Sequence, residues 1–218
     1  MESNSINMSS DVKPRARSGG RPSLREERAA ATQRRILDAA RLRFAEDGYG
    51  ATTLRGIAAE AGVAVQTVYA VYRSKAGILR ALRTALVHQP EAESLYAAAL
   101  GAPDDSVKVG LFARSIRARW EAGADVVRVH AEAAASDASL REEVEQVLVR
   151  RRAGLGALAA TLEGSLASEL DVARASAILD ALTMPEVYLE LTGVAGWSAD
   201  EYEAWLTDAL RRELLRSA

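Results

Sequence analysis

The sequence predicts an all-α fold, and three observations carry that expectation. Of the 218 residues, 49% are hydrophobic but only 5% aromatic, so the core must be built from small and aliphatic side chains, with alanine abundant enough for close helix packing. No alternation of apolar and polar residues persists beyond about five positions, which leaves strands without a signal. Apolar residues recur instead at helical spacing, in stretches separated by Gly, Pro and Asp breakers.

Composition removes several function classes. Cysteine is absent, so there is no disulfide framework, thiolate nucleophile or Cys-ligated metal, as suits a reducing cytoplasm. No apolar run approaches a membrane span. The opening MESNSINMSS is polar and lacks an apolar signal core, so the expected location is cytoplasmic, with no membrane partner. The net charge of −2 conceals an asymmetry: residues 1–89 hold 15 Lys and Arg against 8 Asp and Glu, and residues 90–218 hold 13 against 22. A basic front half and an acidic back half indicate that only the front meets a polyanion.

In chain order, residues 1–28 read as a flexible basic arm, rich in Ser, Gly, Pro and charge. Within it, KPRARSGGRPSLR carries five cations and no acid; such a segment can enter a narrow minor groove or simply solubilise the chain. Residues 29–89 form the next unit. A first helix, over 29–46, buries Ile36, Leu37, Ala40 and Phe44 and stops at Asp47-Gly48-Tyr49-Gly50. Thr53 caps a second, whose inner face is Leu54, Ile57, Ala58 and Ala61 and which ends at Gly62. A third runs from about Val65 to Tyr72. Ser74 caps a fourth, with Ile78, Leu79, Leu82 and Leu86 as its stripe, and Pro90 closes the block. Residues 90–218 form the second domain, with helices expected over 91–100, 104–121, 124–135, 139–166, 172–193 and 198–216, for a total of about nine to ten.

A glycine between two short helices permits the sharp turn of a helix-turn-helix unit, and a short second helix suffices when its outer face enters a major groove. An ordinary helical corner would look the same from the turn alone. The pieces ILDAARLRFAEDGYGATTLRGIAAEAGV, QTVY and YRSKAGIL go further: Ile36 to Leu79 resembles the DNA-binding domain of TetR/AcrR-type transcriptional regulators, at many fixed spacings. The tail LDALTMPEVYLELTGVAGWSADEYEAWLTDALRRELL more loosely resembles that family's last two helices, which pair with a second subunit in a four-helix bundle.

The resemblance implies a three-helix DNA-binding domain followed by a helical ligand-binding and dimerisation domain. It also implies a homodimer through 172–193 and 198–216, a palindromic operator on double-stranded DNA, and a small-molecule effector whose binding releases the DNA. Thr53 and Lys75 sit at helix starts suited to phosphate. Arg55 can read guanine, Gln66 adenine and Val65 a thymine methyl, while Thr67 serves base or phosphate. Tyr69 matches the family tyrosine that meets a phosphate, and Tyr72 packs. Tyr49 is either near the backbone or a packing aromatic. Two departures stand out: Ala64 replaces a capping Ser, and Val71 replaces a polar residue, often His, so it cannot donate.

For the effector, the candidate pocket residues are Phe112, Arg117, Trp120, His130 and Tyr188, an amphipathic mix that suits an apolar ligand; core packing is the competing role for each aromatic. For the dimer, Ile178, Leu179, Leu182, Val187, Leu189, Leu191, Trp205, Leu206, Leu210 and Leu214 offer apolar surface to a partner, or to their own subunit. An enzyme is not expected. The two histidines lie far apart in sequence, no phosphate loop or nucleophile elbow is present, and Glu142-Glu143 reads as a solvated pair. No cofactor or metal is expected. The alternative is a helical ligand-sequestering or adaptor protein with a non-functional DNA-binding domain, against which Thr53, Tyr69 and Lys75 argue.

Overall fold

The computed structural model describes residues 23–216, so most of the expected basic arm lies outside the described residues. Helix α1 spans Leu24–Ala51, because Ser23 and Glu26 cap its start reciprocally, each side chain taking the other's backbone N–H. The regular helix therefore begins at Leu24 rather than Ala29, and residues 24–28, expected as arm, are helical. The Asp47-to-Gly50 breaker does interrupt the helix: Gly48 takes φ 78° and ψ 161°, outside helical geometry, and a short helical piece follows the kink to Ala51. Glycine adopts such a positive φ without penalty.

Helix α2 (Leu54–Ala61) begins at the Thr53 cap and ends at Gly62, whose φ of 61° forms the left-handed cap expected there. Helix α3 spans Val65–Tyr72 and starts at Ala64 with no side-chain cap. Helix α4 spans Lys75–Val87 behind the Ser74 cap. Ile36, Phe44, Ile57, Val68, Ile78 and Leu79 lock these four helices into one core.

Pro90 does more than close the block: it is the first residue of α5 (Pro90–Gly101), where its missing N–H costs nothing. Helix α6 spans Asp105–Ser136 in two arms that meet at a kink at Gly123, where the sequence placed a separator and the backbone leaves helical geometry. A Cβ at Gly123 would lie 3.0 Å from Leu86 Cδ1 of α4; the glycine lets α6 press against α4. Above the kink, Phe112, Ile116 and Trp120 join the C-terminal core. Below it, Val126, Val129 and Ala133 join the core of α1–α4. One helix is thus shared by both halves.

Helix α7 (Ala138–Ala160) ends before a short 3-10 turn at Glu163–Ser165, earlier than the expected 166. The 172–193 helix is divided into α8 (Val172–Leu182), α9 (Pro185–Leu189) and one π turn at Glu190–Val194. Pro185 explains the break, since the residue before a proline is pushed out of helical geometry and Met184 is extended. Helix α10 spans Ala199–Leu214 behind a second reciprocal cap, Ser198 with Glu201.

Most of the apolar residues expected at a dimer face serve the protomer. Leu179, Leu206, Leu210 and Leu214 are buried in the C-terminal core, and Ile178, Leu182, Val187, Leu189, Leu191 and Trp205 pack against it. The outward face of α8 carries Ala173, Ala177 and Ala181 instead.

Ion pairs tie the two halves together. Arg41 of α1 grips Asp125 of α6 through two bonds of 2.6 and 2.7 Å. Glu143 of α7 accepts from Arg80 at 2.5 Å and Arg83 at 3.2 Å, both on α4. Glu143 is therefore an interdomain anchor, not the solvated carboxylate its sequence neighbourhood implied.

Candidate nucleic-acid interface

A groove of about 700 Å3 opens where the α1–α2 corner, the start and outer face of α3 and the start of α4 meet. Thr53, Arg55, Val65, Tyr69 and Lys75, five of the seven residues expected at DNA, line it together with Arg73. Gln66 is exposed and Thr67 half-buried on the neighbouring turn of α3. The recognition helix turns Val68 inward, fully buried, and leaves Tyr69 55% and Val71 39% exposed. A helix whose apolar side chains remain outside after its core contacts are filled has a face free for another surface.

The local chemistry explains each position. Thr53 Oγ1 accepts from the Gly56 N–H at 3.0 Å, which caps α2 and fixes the hydroxyl at the groove wall. Arg35 donates to the carbonyls of Ala61 and Gly62, fastening the end of α2 to α1 and holding the turn that aims α3. Tyr72 is half-buried against the core, as expected of a packing residue, and donates to Gln33 O at 3.4 Å. Tyr49 is buried and packs tilted against Phe44 with ring centres 5.4 Å apart, so it is a packing aromatic that also forms part of the groove wall.

Lys75 is more engaged than a simple phosphate contact implies. Its ammonium donates to the carbonyls of Tyr49 at 2.6 Å and Gly50 at 3.1 Å, and sits 4.7 Å from the Tyr49 ring centre. Partial burial lowers its pKa from the ordinary value. The side chain clamps the α1–α2 corner while remaining at the groove wall. Sequence reasoning missed two neighbours. Arg73 ends α3 with φ 64°, and a Cβ at Gly77 would lie 2.0 Å from the Tyr72 carbonyl oxygen. No local pattern marks the first; a glycine in a helix's opening turn was the available signal for the second.

The expected effector residues are dispersed. Phe112, Trp120 and Tyr188 share the C-terminal core. Trp120 Nε1 donates to Thr183 O at 3.0 Å, and Tyr188 meets Tyr202 edge-on at 4.9 Å. The hydroxyl of Tyr202, fully buried beside them, has no partner among the described residues, and burial raises its pKa well above the ordinary range. Arg117 faces acids of α6 and α10 at the surface, reaching Asp200 at 2.7 Å and Glu203 at 3.2 Å. His130 lies elsewhere, buried at the junction of α4, α6 and α7, with Nε2 3.9 Å from Glu143.

Residues 36–82, which supply all of this groove's lining except Asp137, match the family profile of bacterial regulatory proteins of the tetR family. This segment is a tetR-type DNA-binding domain. The resemblance read from Ile36 to Leu79 therefore stands, and the fold agrees with solved structures over most of the chain's length. The SmeT–triclosan complex superposes with a TM-score of 0.66 at 20% identity, covering 86% of this chain and 93% of that one. The fatty acid degradation regulator FadR from Bacillus halodurans gives 0.66 at 20% identity over 82% and 94%. NalD of Pseudomonas aeruginosa, secondary repressor of the MexAB-OprM multidrug efflux pump, gives 0.63 at 21% over 88% and 100%. No curated protein sequence matches the chain. These likenesses show that the chain has the fold of those regulators; among the described residues, no helix is long and apolar enough to cross a membrane.

Proposed function

We propose that the regulator is a repressor that binds a palindromic operator as a two-fold dimer and leaves it when a small apolar effector enters the C-terminal helices. The observation that carries this reading is the groove shared by Thr53, Arg55, Tyr69 and Lys75 beside the exposed face of α3. It joins a cap hydroxyl and cations, which suit phosphates, to a two-turn helix that fits a major groove. On DNA, the groove's Thr53, Tyr69 and Lys75 hold the backbone, while Arg55 and Val65 of the groove and Gln66 and Thr67 on the neighbouring turn face the bases.

Dimerisation is assigned to α8 and α10. The outward alanines of α8 allow a second helix to approach closely, and two copies of each helix make a four-helix bundle. An effector placed between α6, α9 and α10 would meet Phe112, Trp120 and Tyr188 and offer a partner to the Tyr202 hydroxyl. Arg117 and His130 do not share that site; His130 belongs to the coupling between the halves. SmeT with its triclosan and NalD as an efflux-pump repressor support an apolar effector and a repressor role.

The test is selection of bound fragments from the source genome, followed by gel shift on the recovered sequence with and without apolar compounds, triclosan among them. The expected result is a palindromic site and a shift weakened by at least one compound. Binding that is equal on all sequences would overturn the operator reading.

A further inference from the structure

Arg73 is the only non-glycine residue with positive φ among the described residues. Its φ of 64° and ψ of −36°, with Ser74 N–H donating to Tyr72 O at 2.7 Å, define a γ-turn, the strained form of that turn. Glycine would occupy it without strain. The room for the turn is made by Gly77, since a side chain there would strike the Tyr72 carbonyl. Arginine nevertheless holds the position, and its side chain is exposed and belongs to neither core. A strained backbone carrying a side chain that does no packing indicates that the side chain itself has work outside the fold.

The surroundings say what work. Arg73 lines the same groove as Thr53, Tyr69 and Lys75. The carboxylate in that groove, Asp137, is taken up by the Ser139 hydroxyl and the N–H groups of Ser139 and Leu140 at the start of α7. Val71, exposed on the last turn of α3, cannot donate a hydrogen bond. Lys75 has already given two bonds to the α1–α2 corner. A guanidinium is an always-charged fork matched to phosphate.

We infer that Arg73 is a DNA-backbone anchor, its γ-turn presenting the guanidinium to a phosphate beside the recognition helix, where Val71 can donate no hydrogen bond. The inference rests on the DNA-binding reading above.

The test uses the full chain and random-sequence duplex DNA over a salt series. Arg73→Gly should melt no lower than wild type, because the turn is relieved of strain. Its affinity should fall about three- to tenfold and its log K against log salt slope should lose about one unit. Arg73→Lys should keep the slope. Arg73→Asn, which also tolerates positive φ, should repeat the glycine result and guards against an effect of glycine's flexibility. An Arg73→Gly protein with the wild-type slope overturns the inference while leaving DNA binding intact. One that melts well below wild type overturns it too, by showing that the arginine serves the fold. Absence of salt-dependent duplex binding by wild type would instead sink the DNA-binding reading itself, and the anchor with it.

Discussion

Gly77 and the Tyr72 carbonyl occupy space that one methyl group would fill. Gly77→Ala places a Cβ 2.0 Å from that oxygen, and backbone cannot yield as a side-chain tip can. The expected cost is about 2–3 kcal/mol, read by denaturant unfolding. Lys75 and Gln66 separate along another axis. Lys75→Ala removes a cation from the groove and two bonds from the α1–α2 corner. It should therefore weaken binding to every duplex about equally, lower the salt slope by about one, and also lower the melting temperature. Gln66→Ala, exposed and unburdened by packing, should leave stability unchanged and flatten preference at one base pair. A matrix of operator variants against both mutants checks this; identical behaviour of the two would refute the division of roles.

Helix α6 is the element on which the halves depend. Its kink at Gly123 seats it against Leu86, and Asp125 below the kink takes both bonds from Arg41. Beyond it, Glu143 holds Arg80 and Arg83 beside buried His130. Burial, and then the charge of Arg83, lower the His130 pKa from its ordinary 6.5; Glu143 opposes the shift and Arg80 reinforces it. The folded state thus binds fewer protons at His130 than the unfolded chain does, so stability is full above about pH 6.5 and falls as the pH drops below it. Melting curves at stepped pH should show that loss, and His130→Gln should flatten it between pH 6.5 and the onset of carboxylate titration. Glu143→Gln leaves two partly buried guanidinium groups with weaker partners; a loss of about 1–2 kcal/mol is expected, measured by urea unfolding. A wild-type value there would mean that the interdomain pairs carry no net stability.

At the scale of the whole molecule, the chain places a basic N-terminal groove and an outward alanine face on α8 at different parts of one helical body. If two copies meet through α8 and α10, a bulky charge on that face must separate them. Ala177→Arg should convert a dimer to a monomer in sedimentation velocity while leaving helical content intact, because Ala177 is exposed and takes no part in the core. Loss of the dimer should also abolish preference for a two-half-site duplex over a single half-site.

Local chemistry alone determined the all-α class, the Thr53 and Ser74 caps, the left-handed Gly62 and the bounds of α3, because each depends on backbone preferences and spacing within a few residues. The Ser23–Glu26 cap and the break at Pro185 are equally local and were open to the same reading. Only tertiary structure decided that α6, kinked at Gly123, is shared by two cores, that Glu143 anchors one half to the other, that the leucines of α8 and α10 face inward, and that Phe112, Trp120 and Tyr188 lie together while Arg117 and His130 stand apart. Those outcomes depend on which surfaces meet across dozens of residues, where burial and charge pairing between distant segments outweigh any short-range preference.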